Sequence, residues 1–121
     1  MPTLELTTDN FTETLDDNEI VLIDFWAAWC GPCRQFAPIY DAVSERHPDV
    51  VFGKVDTEAQ QEIAGAFNIM SIPTLMIFRD KVALFAQPGL LPEEALDDLI
   101  RQTRELDMDD VRAKIAADAT Q

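Results

Sequence analysis

The fold is decided by the stretch Asp24-Phe25-Trp26-Ala27-Ala28-Trp29-Cys30-Gly31-Pro32-Cys33, which carries the only two cysteines of the chain. The preceding run from Ile20 to Phe25 is apolar apart from one carboxylate. Such a run is typical of a central strand in a parallel sheet, because both faces of that strand are covered. The following segment, 34–43, has apolar residues at helical spacing. The cysteines are therefore predicted to lie where a buried strand leads into the first turn of a helix.

This position favours thiol chemistry. A helix N-terminus carries about half a positive charge, which stabilises the thiolate of Cys30 over its thiol. Gly31 allows a sharp turn, and Pro32 fits the first helical turn because its missing N–H would be unpaired there anyway. Cys33 returns to the same face, within reach of a disulfide to Cys30. Attack of one thiolate on a foreign disulfide, followed by attack of the second cysteine, needs this layout.

Three other interpretations of the cysteine pair compete with redox chemistry. A zinc site needs four ligands, but the chain has no further cysteine and one histidine, His47, at the far end of the same predicted helix. A purely structural disulfide in so short a ring would remove little unfolded-chain entropy. Two cysteines without a chemical role would not need Gly-Pro between them. Redox chemistry is favoured, and neither a metal nor a bound cofactor is predicted.

Composition limits the partners. The 121 residues, enough for one domain, include 9 basic and 23 acidic residues, a net charge of −14. Such a chain repels nucleic acid and anionic membrane surfaces, so neither is an expected partner. Between Phe25 and Tyr40 the one charged residue is Arg34. The expected active face is thus nearly neutral on an acidic body, which suits the docking of many protein segments.

Residues 1–6 lack the basic and apolar regions of a signal peptide, and no run approaches the ~20 apolar residues of a membrane span. We therefore expect a cytosolic protein, in which a dithiol is kept reduced.

Periodicity and turn residues predict the order βαβαβαββα. Thr8 or Asp9 is expected to cap the first helix, which ends near Leu15. The strands are expected near residues 4–6, 20–25, 50–56, 74–78 and 82–86, and the later helices near 33–46, 58–67 and 92–106. The buried stripe of the last of these helices is expected at Leu96, Leu99, Ile100 and Leu106.

The chain after Leu106 leaves two alternatives open. Asp107 either caps a further helix with Met108, Val111 and Ile115 on one face, or begins a frayed acidic tail. The domain limits are placed at 1–106 for the main domain and 107–121 for this acidic extension.

Trp29-Cys30-Gly31-Pro32-Cys33 resembles the active-site motif of the thioredoxin family. Asp24–Ala27, Lys54–Asp56, Ile72–Leu75 and Pro88-Gly89 follow in the order and spacing of that family, so the resemblance covers about residues 4–106. It implies an α/β fold with a central mixed, mainly parallel sheet flanked by helices. It also implies a protein-disulfide reductase without a bound cofactor, acting on disulfide-containing client proteins and recharged by an NADPH-dependent thioredoxin reductase. We further expect a monomer.

The resemblance also implies roles for residues around the pair. Asp24, whose burial should raise its pKa, would exchange a proton with Cys33 through water; the alternative is an edge carboxylate facing solvent. Lys54 would couple its charge to Asp24, or else be a solvated strand residue. Trp26 is expected to be a packed shield.

The resemblance implies a cis bond before Pro73, although only about 5–6% of X-Pro bonds are cis and the alternative is an ordinary turn proline. Ile72 and Thr74 would then offer backbone groups to an extended client segment. We expect the substrate to be contacted by Trp29, Gly31, Pro32, Ile72, Pro73, Thr74 and Gly89.

Some positions depart from the family. Arg34 stands where many members have lysine, and the turn at 79–82 lacks the usual glycine, which leaves its type open. Met70 and Ser71 differ from many relatives and are expected to affect partner choice.

Two other functions remain alternatives. Within the same fold, the protein could be a disulfide isomerase or oxidant, but Gly-Pro between the cysteines, without histidine, favours the reducing role. From another class, it could act mainly as a non-catalytic binding subunit that uses its acidic tail.

Overall fold

The computed structural model describes residues 3–119 and contains a five-stranded mixed sheet with helices on both faces. Its strands are β1 (Thr3–Glu5), β2 (Ile20–Trp26), β3 (Val51–Asp56), β4 (Thr74–Arg79) and β5 (Val82–Pro88). Its helices are α1 (Phe11–Asp17), α2 (Gly31–Arg46), α3 (Gln61–Ala66), α4 (Glu93–Glu105) and α5 (Met108–Ala119). The predicted order is confirmed, with α5 added at the end.

The sheet places β2 at its centre, in the strand order β1-β3-β2-β4-β5. β3 runs parallel to β1 and β2, whereas β4 is antiparallel to β2 and β5. Residues of β2 alternate between two cores because successive side chains point to opposite faces. Leu22 packs with residues of α2 and α4, and Ile23 packs in the second core, with residues of α1 and α3 against it. The central buried strand predicted from the sequence is confirmed.

Gly53 leaves room on β3 for the buried side chain of Leu6, which follows β1. A Cβ atom at this position would lie 3.0 Å from Leu6 Cγ and 3.2 Å from the Leu22 carbonyl oxygen. A larger residue would therefore have to displace the buried side chain of Leu6. The Gly53 carbonyl also accepts a hydrogen bond from the buried Tyr40 hydroxyl at 2.8 Å, which links α2 to β3.

Several predicted boundaries were wrong. Asn10, not Thr8 or Asp9, stands at the N-cap of α1, where its side chain ties the Thr7 amide (2.8 Å) to the Glu5 carbonyl (3.0 Å). The third helix begins at Gln61, later than expected, because the Asp56 carboxylate accepts hydrogen bonds from the amides of the 58–59 turn.

The buried stripe of α4 was also partly wrong. Leu106 is 40% exposed, whereas Thr103 is buried at 5% exposure. The Thr103 hydroxyl donates to the Leu99 carbonyl at 2.8 Å, so this polar side chain can be buried without an unpaired atom. Leu106 has extended backbone angles and lies after the helix end.

The β4–β5 turn consists of Asp80 and Lys81, with φ angles of 51° and 69°. Positive φ at both central residues is the requirement of a type I′ hairpin turn. This turn usually contains glycine, because other residues rarely adopt such angles. The chain therefore forms a tight hairpin at two strained residues.

The acidic extension forms the helix α5, and not the frayed tail that was the other alternative. The Asp107 carboxylate accepts hydrogen bonds from the amides of Asp109 (3.0 Å) and Asp110 (3.3 Å), as an N-cap does. Met108 is buried, whereas Ile115 is 49% exposed. The domain limits at 1–106 and 107–121 stay predictions. The first two and the last two residues of the chain lie outside the described residues.

Arg79 holds the junction between α4 and α5. Its Nη1 atom donates to the carbonyls of Thr103 (2.9 Å), Arg104 (3.3 Å) and Leu106 (2.8 Å), and so supplements the weak backbone pairing at the C-terminal end of α4. Within residues 3–119, no helix is both long enough and apolar enough to cross a bilayer.

Candidate active site

The two cysteines lie at the N-terminus of α2, directly after the loop that leaves β2. Cys30 is the N-cap residue, and its sulfur accepts a hydrogen bond from the Cys33 amide at 3.2 Å. A disulfide joins the two residues, whose Cα atoms are 5.2 Å apart. Both side chains are buried, at 4% and 3% exposure. The helix end predicted from the sequence thus directs a backbone N–H group at the sulfur of Cys30.

A second loop approaches the pair through Ile72 and Pro73, which are joined by a cis peptide bond, as the resemblance implied. The Ile72 carbonyl oxygen lies 3.7 Å from Cys30 Sγ. Ile72 also packs against the small apolar cluster of Ala27 and both cysteines. The sulfur of Cys30 is therefore bordered directly by this loop.

The loop after β5 is hydrogen-bonded to the loop that contains Ile72 and Pro73. The Gly89 amide donates to the Pro73 carbonyl at 2.8 Å, and Gly89 has a φ of +98°, which favours glycine. Thr74 begins β4 opposite Pro88, and its buried hydroxyl donates to the Ser71 carbonyl at 2.7 Å. The side chain of Thr74 is thus occupied within its own loop, so any contact with a substrate would come from its backbone.

Asp24 is fully buried in β2, and neither of its carboxylate oxygens has a hydrogen-bond partner among the described residues. Its nearest cation is Lys54 on β3, with Nζ 3.9 Å from Oδ2. Burial raises the pKa of Asp24 from 3.8 to about 7, while Lys54 opposes that rise and Asp41 adds to it. The carboxyl group can therefore gain or lose a proton near neutral pH.

Lys54 also lies over Trp26, with Nζ 5.2 Å from the ring centroid, a distance suited to a cation–π contact. Trp26 is half-buried and packs against the cysteine cluster. The role of Trp26 as a shield of the cysteine pair stays a prediction.

Two contacts of the site were not foreseen from the sequence. Trp29 is 67% exposed, and its indole Nε1 donates to Glu58 Oε1 at 2.7 Å. Arg34 Nη1 donates to the Ala28 carbonyl at 2.7 Å, which ties the first turn of α2 to the loop before Cys30. No sequence pattern indicates Glu58, because this contact joins residues far apart in the chain.

The remaining predicted residues are Gly31 and Pro32, which form the first turn of α2, with Pro32 exposed.

His47, at the other end of that helix, is hydrogen-bonded to Asp97 (3.0 Å) and Arg104 (3.2 Å). Among residues 3–119, no group of three or more histidine, cysteine or acidic side chains is arranged to hold a metal ion.

Comparison with known proteins supports this geometry. The family model described as Thioredoxin matches residues 2–102. The chain belongs to the thioredoxin family. A protein assigned as thioredoxin 2 in Streptomyces coelicolor is 64% identical, over 98% of this chain and 89% of the relative. The thioredoxin of Bacillus subtilis is 39% identical, over 69% of this chain and 81% of its own.

The fold is similar to that of solved thioredoxins. A mutant thioredoxin from Halobacterium salinarum superposes with a TM-score of 0.79 at 34% identity, covering 87% of this chain and 93% of that one. The cysteine pair is accordingly the redox-active centre of a thioredoxin-family oxidoreductase. The thioredoxin fold and family expected from the motif are confirmed.

Proposed function

We propose that this chain is a general protein-disulfide reductase in which Cys30 attacks the client and Cys33 resolves the mixed disulfide. The observation that carries the proposal is the hydrogen bond from the Cys33 amide to Cys30 Sγ, at 3.2 Å, because it stabilises negative charge on that sulfur. The N-terminal end of α2 adds the field of the helix dipole. Both effects favour Cys30 as the thiolate.

The reaction transfers two electrons. The Cys30 thiolate attacks one sulfur of the client disulfide, a bond forms between them, and the other client sulfur leaves as a thiolate. Cys33 then loses its proton and attacks Cys30 Sγ. The second client thiolate leaves, and the Cys30–Cys33 disulfide found in the structure is the product.

Asp24 is proposed to accept the proton of Cys33. Its pKa of about 7 suits that task, since a base works best when its pKa is close to the working pH. Asp24 has no hydrogen bond to Cys33 in this structure, so transfer through a water molecule is required. Lys54, 3.9 Å from Asp24, would stabilise the carboxylate when it is charged.

The client is proposed to lie across Trp29, Gly31, Pro32, Ile72, Pro73, Thr74 and Gly89. The backbone of Ile72 and Thr74 would pair with the client in the manner of an added strand. We further propose that a thioredoxin reductase recharges the disulfide with electrons from NADPH, as is usual in this family. A cytosolic location and a monomeric state complete the proposal.

The test is reduction of insulin disulfides, coupled to NADPH oxidation through a thioredoxin reductase. The wild type should turn over, Cys30→Ser should be inactive, and Cys33→Ser should accumulate a mixed disulfide with the client. An inactive wild type whose disulfide still cycles with dithiothreitol would contradict the proposal of a general reductase. Accumulation of the mixed disulfide in Cys30→Ser instead would reverse the order of attack.

A further inference from the structure

We propose that Met70 selects clients, by packing against an apolar side chain located within two residues of the client cysteine. This proposal rests on the proposed function, because it concerns the segment of a client whose disulfide is under attack. Met70 is 92% exposed, the highest exposure among the large apolar residues of the described chain. It lies two residues before Ile72, whose carbonyl oxygen is 3.7 Å from Cys30 Sγ.

Met70 lines several neighbouring grooves, two of which have no charged residue and include Ser71 in their lining. The first, called the Trp29–Met70 groove, has a volume of about 310 Å³ and is lined by Trp29, Thr57, Ile69, Met70, Ser71 and Ile72. The second has a volume of about 220 Å³ and places Met70 beside Met76, Ala86 and Pro88. Met70 is therefore part of the wall that a side chain entering either groove would meet.

The position of the Cys30 sulfur indicates what occupies the Trp29–Met70 groove. Cys30 is only 4% exposed, so a client sulfur reaches it where the Ile72 loop borders the cysteine. If the client residue that carries this sulfur lies against Ile72, a client residue about two positions away comes nearest to Met70, because Met70 stands two residues before Ile72 in the same loop. The Trp29–Met70 groove is thus covered by the client segment itself.

The lining sets the chemistry of that client residue. In a chain with a net charge of −14, neither groove is lined by any charged side chain. A charged client residue there would lose water without gaining a partner, whereas an apolar one would gain from burial. Methionine suits varied apolar partners, since its side chain is unbranched and adaptable. A second copy of this chain is a poor occupant, because two such acidic bodies repel each other.

The experiment compares three disulfide-bridged peptides. They differ only at two positions, the residue two places before the cysteine and the residue two places after it. These positions carry leucine, aspartate or alanine on both sides, so the result does not depend on chain direction. Wild type, Met70→Arg and Met70→Leu are assayed for kcat/KM with each peptide. The matched control is Ile115→Arg, which makes the same kind of change at an exposed residue of α5.

In the wild type, we expect the leucine peptide to be reduced about tenfold faster than the alanine peptide, the effect of burying most of one side chain. The aspartate peptide should be reduced no faster than the alanine peptide. Met70→Arg should remove or reverse the leucine-to-alanine ratio, Met70→Leu should keep it, and Ile115→Arg should match the wild type. Reduction of bis(2-hydroxyethyl) disulfide, which is uncharged and has no peptide flanks, should be equal in all four proteins.

An unchanged ratio in Met70→Arg would overturn the proposal, and so would equal losses with all peptides and with the small disulfide. A wild-type dimer in sedimentation velocity that dissociates in Met70→Arg would also overturn it, by showing that the occupant is a second copy. Failure of the wild type with every disulfide would instead contradict the proposed function.

Discussion

The carboxylate of Asp24 and the ammonium of Lys54 face each other in register on β2 and β3, with Oδ2 and Nζ 3.9 Å apart. This separation is too long for a hydrogen bond, and the carboxylate has no hydrogen-bond partner among the described residues. Lys54 therefore offsets only part of the cost of burying Asp24, and the pKa of Asp24 rises to about 7.

The first prediction concerns stability. The pKa of Asp24 is higher in the folded state, about 7, than the 3.8 of an exposed aspartate, so between these values the folded protein holds a proton that the unfolded chain releases. The free energy of unfolding should therefore fall as pH rises from about 4 to about 7, by about 4 kcal/mol, and then level off.

Asp24→Asn should remove this fall, so that the variant exceeds the wild type in stability at pH 8 and approaches it near pH 4. Urea unfolding of the oxidised proteins at several pH values measures the difference. Glu45→Gln, which neutralises an exposed acid on α2, is the control and should follow the wild type. Parallel curves for Asp24→Asn and the wild type would contradict the prediction.

The second prediction concerns the rate. Asp24→Asn should slow insulin reduction at pH 7 by about tenfold, less than the ~10²–10⁴-fold of direct general acid–base catalysis, because water can also accept the Cys33 proton. The loss should shrink at higher pH, where Cys33 ionises without help. Single-turnover decay of the mixed disulfide between pH 6 and 9 is the measurement. A loss that is independent of pH would indicate a structural effect instead.

The third prediction concerns the β4–β5 turn. Lys81→Gly should stabilise the protein by about 0.5–1 kcal/mol, because glycine adopts positive φ without the strain that lysine has at 69°. Lys81→Ala is the matched control: it removes the same charge but keeps the Cβ atom, and it should not stabilise. Both are compared with the wild type by thermal and urea unfolding. Equal stability of the two variants would show that the turn is not strained.

The fourth prediction concerns Arg79. Arg79→Gln should cost about 1.5–3 kcal/mol and should increase amide exchange in α5, since its guanidinium bonds three carbonyls at the end of α4. Arg112→Gln is the control. Arg112 pairs with Asp80 at 3.2 Å in a half-exposed bridge, and exposed ion pairs contribute only about 0–1 kcal/mol. Similar losses in both variants would mean that Arg79 acts as a surface charge only.

The elements around the cysteines could be predicted because their signals are local. The apolar run before Cys30 and the Gly-Pro after it each indicate a structure within a few residues. The cis bond before Pro73 was different, since it followed only from the resemblance. The predicted helix boundaries were wrong where a side chain binds backbone amides just before the helix. Asn10 does so before α1, and Asp56 does so before α3.

Contacts between distant segments could not be predicted. Glu58 meets the indole of Trp29 only because the turn after β3 lies beside the loop after β2. Leu106, expected in the buried stripe, is exposed because α4 ends before Leu106 reaches the core, and Thr103 is buried on that helix. The choice between a helix and a tail after Leu106 was open, since it depends on the Asp107 cap and on the place that Met108 finds in the fold.

The hydrogen bond from the Gly89 amide to the Pro73 carbonyl, 2.8 Å long, joins two loops that belong to different connections of the chain. These loops are therefore ordered before any partner arrives, and little conformational entropy is left to lose on association. Transient partners benefit most from such a surface. A weakly bound client can then react before it dissociates. Release of the client after electron transfer therefore need not limit the overall rate.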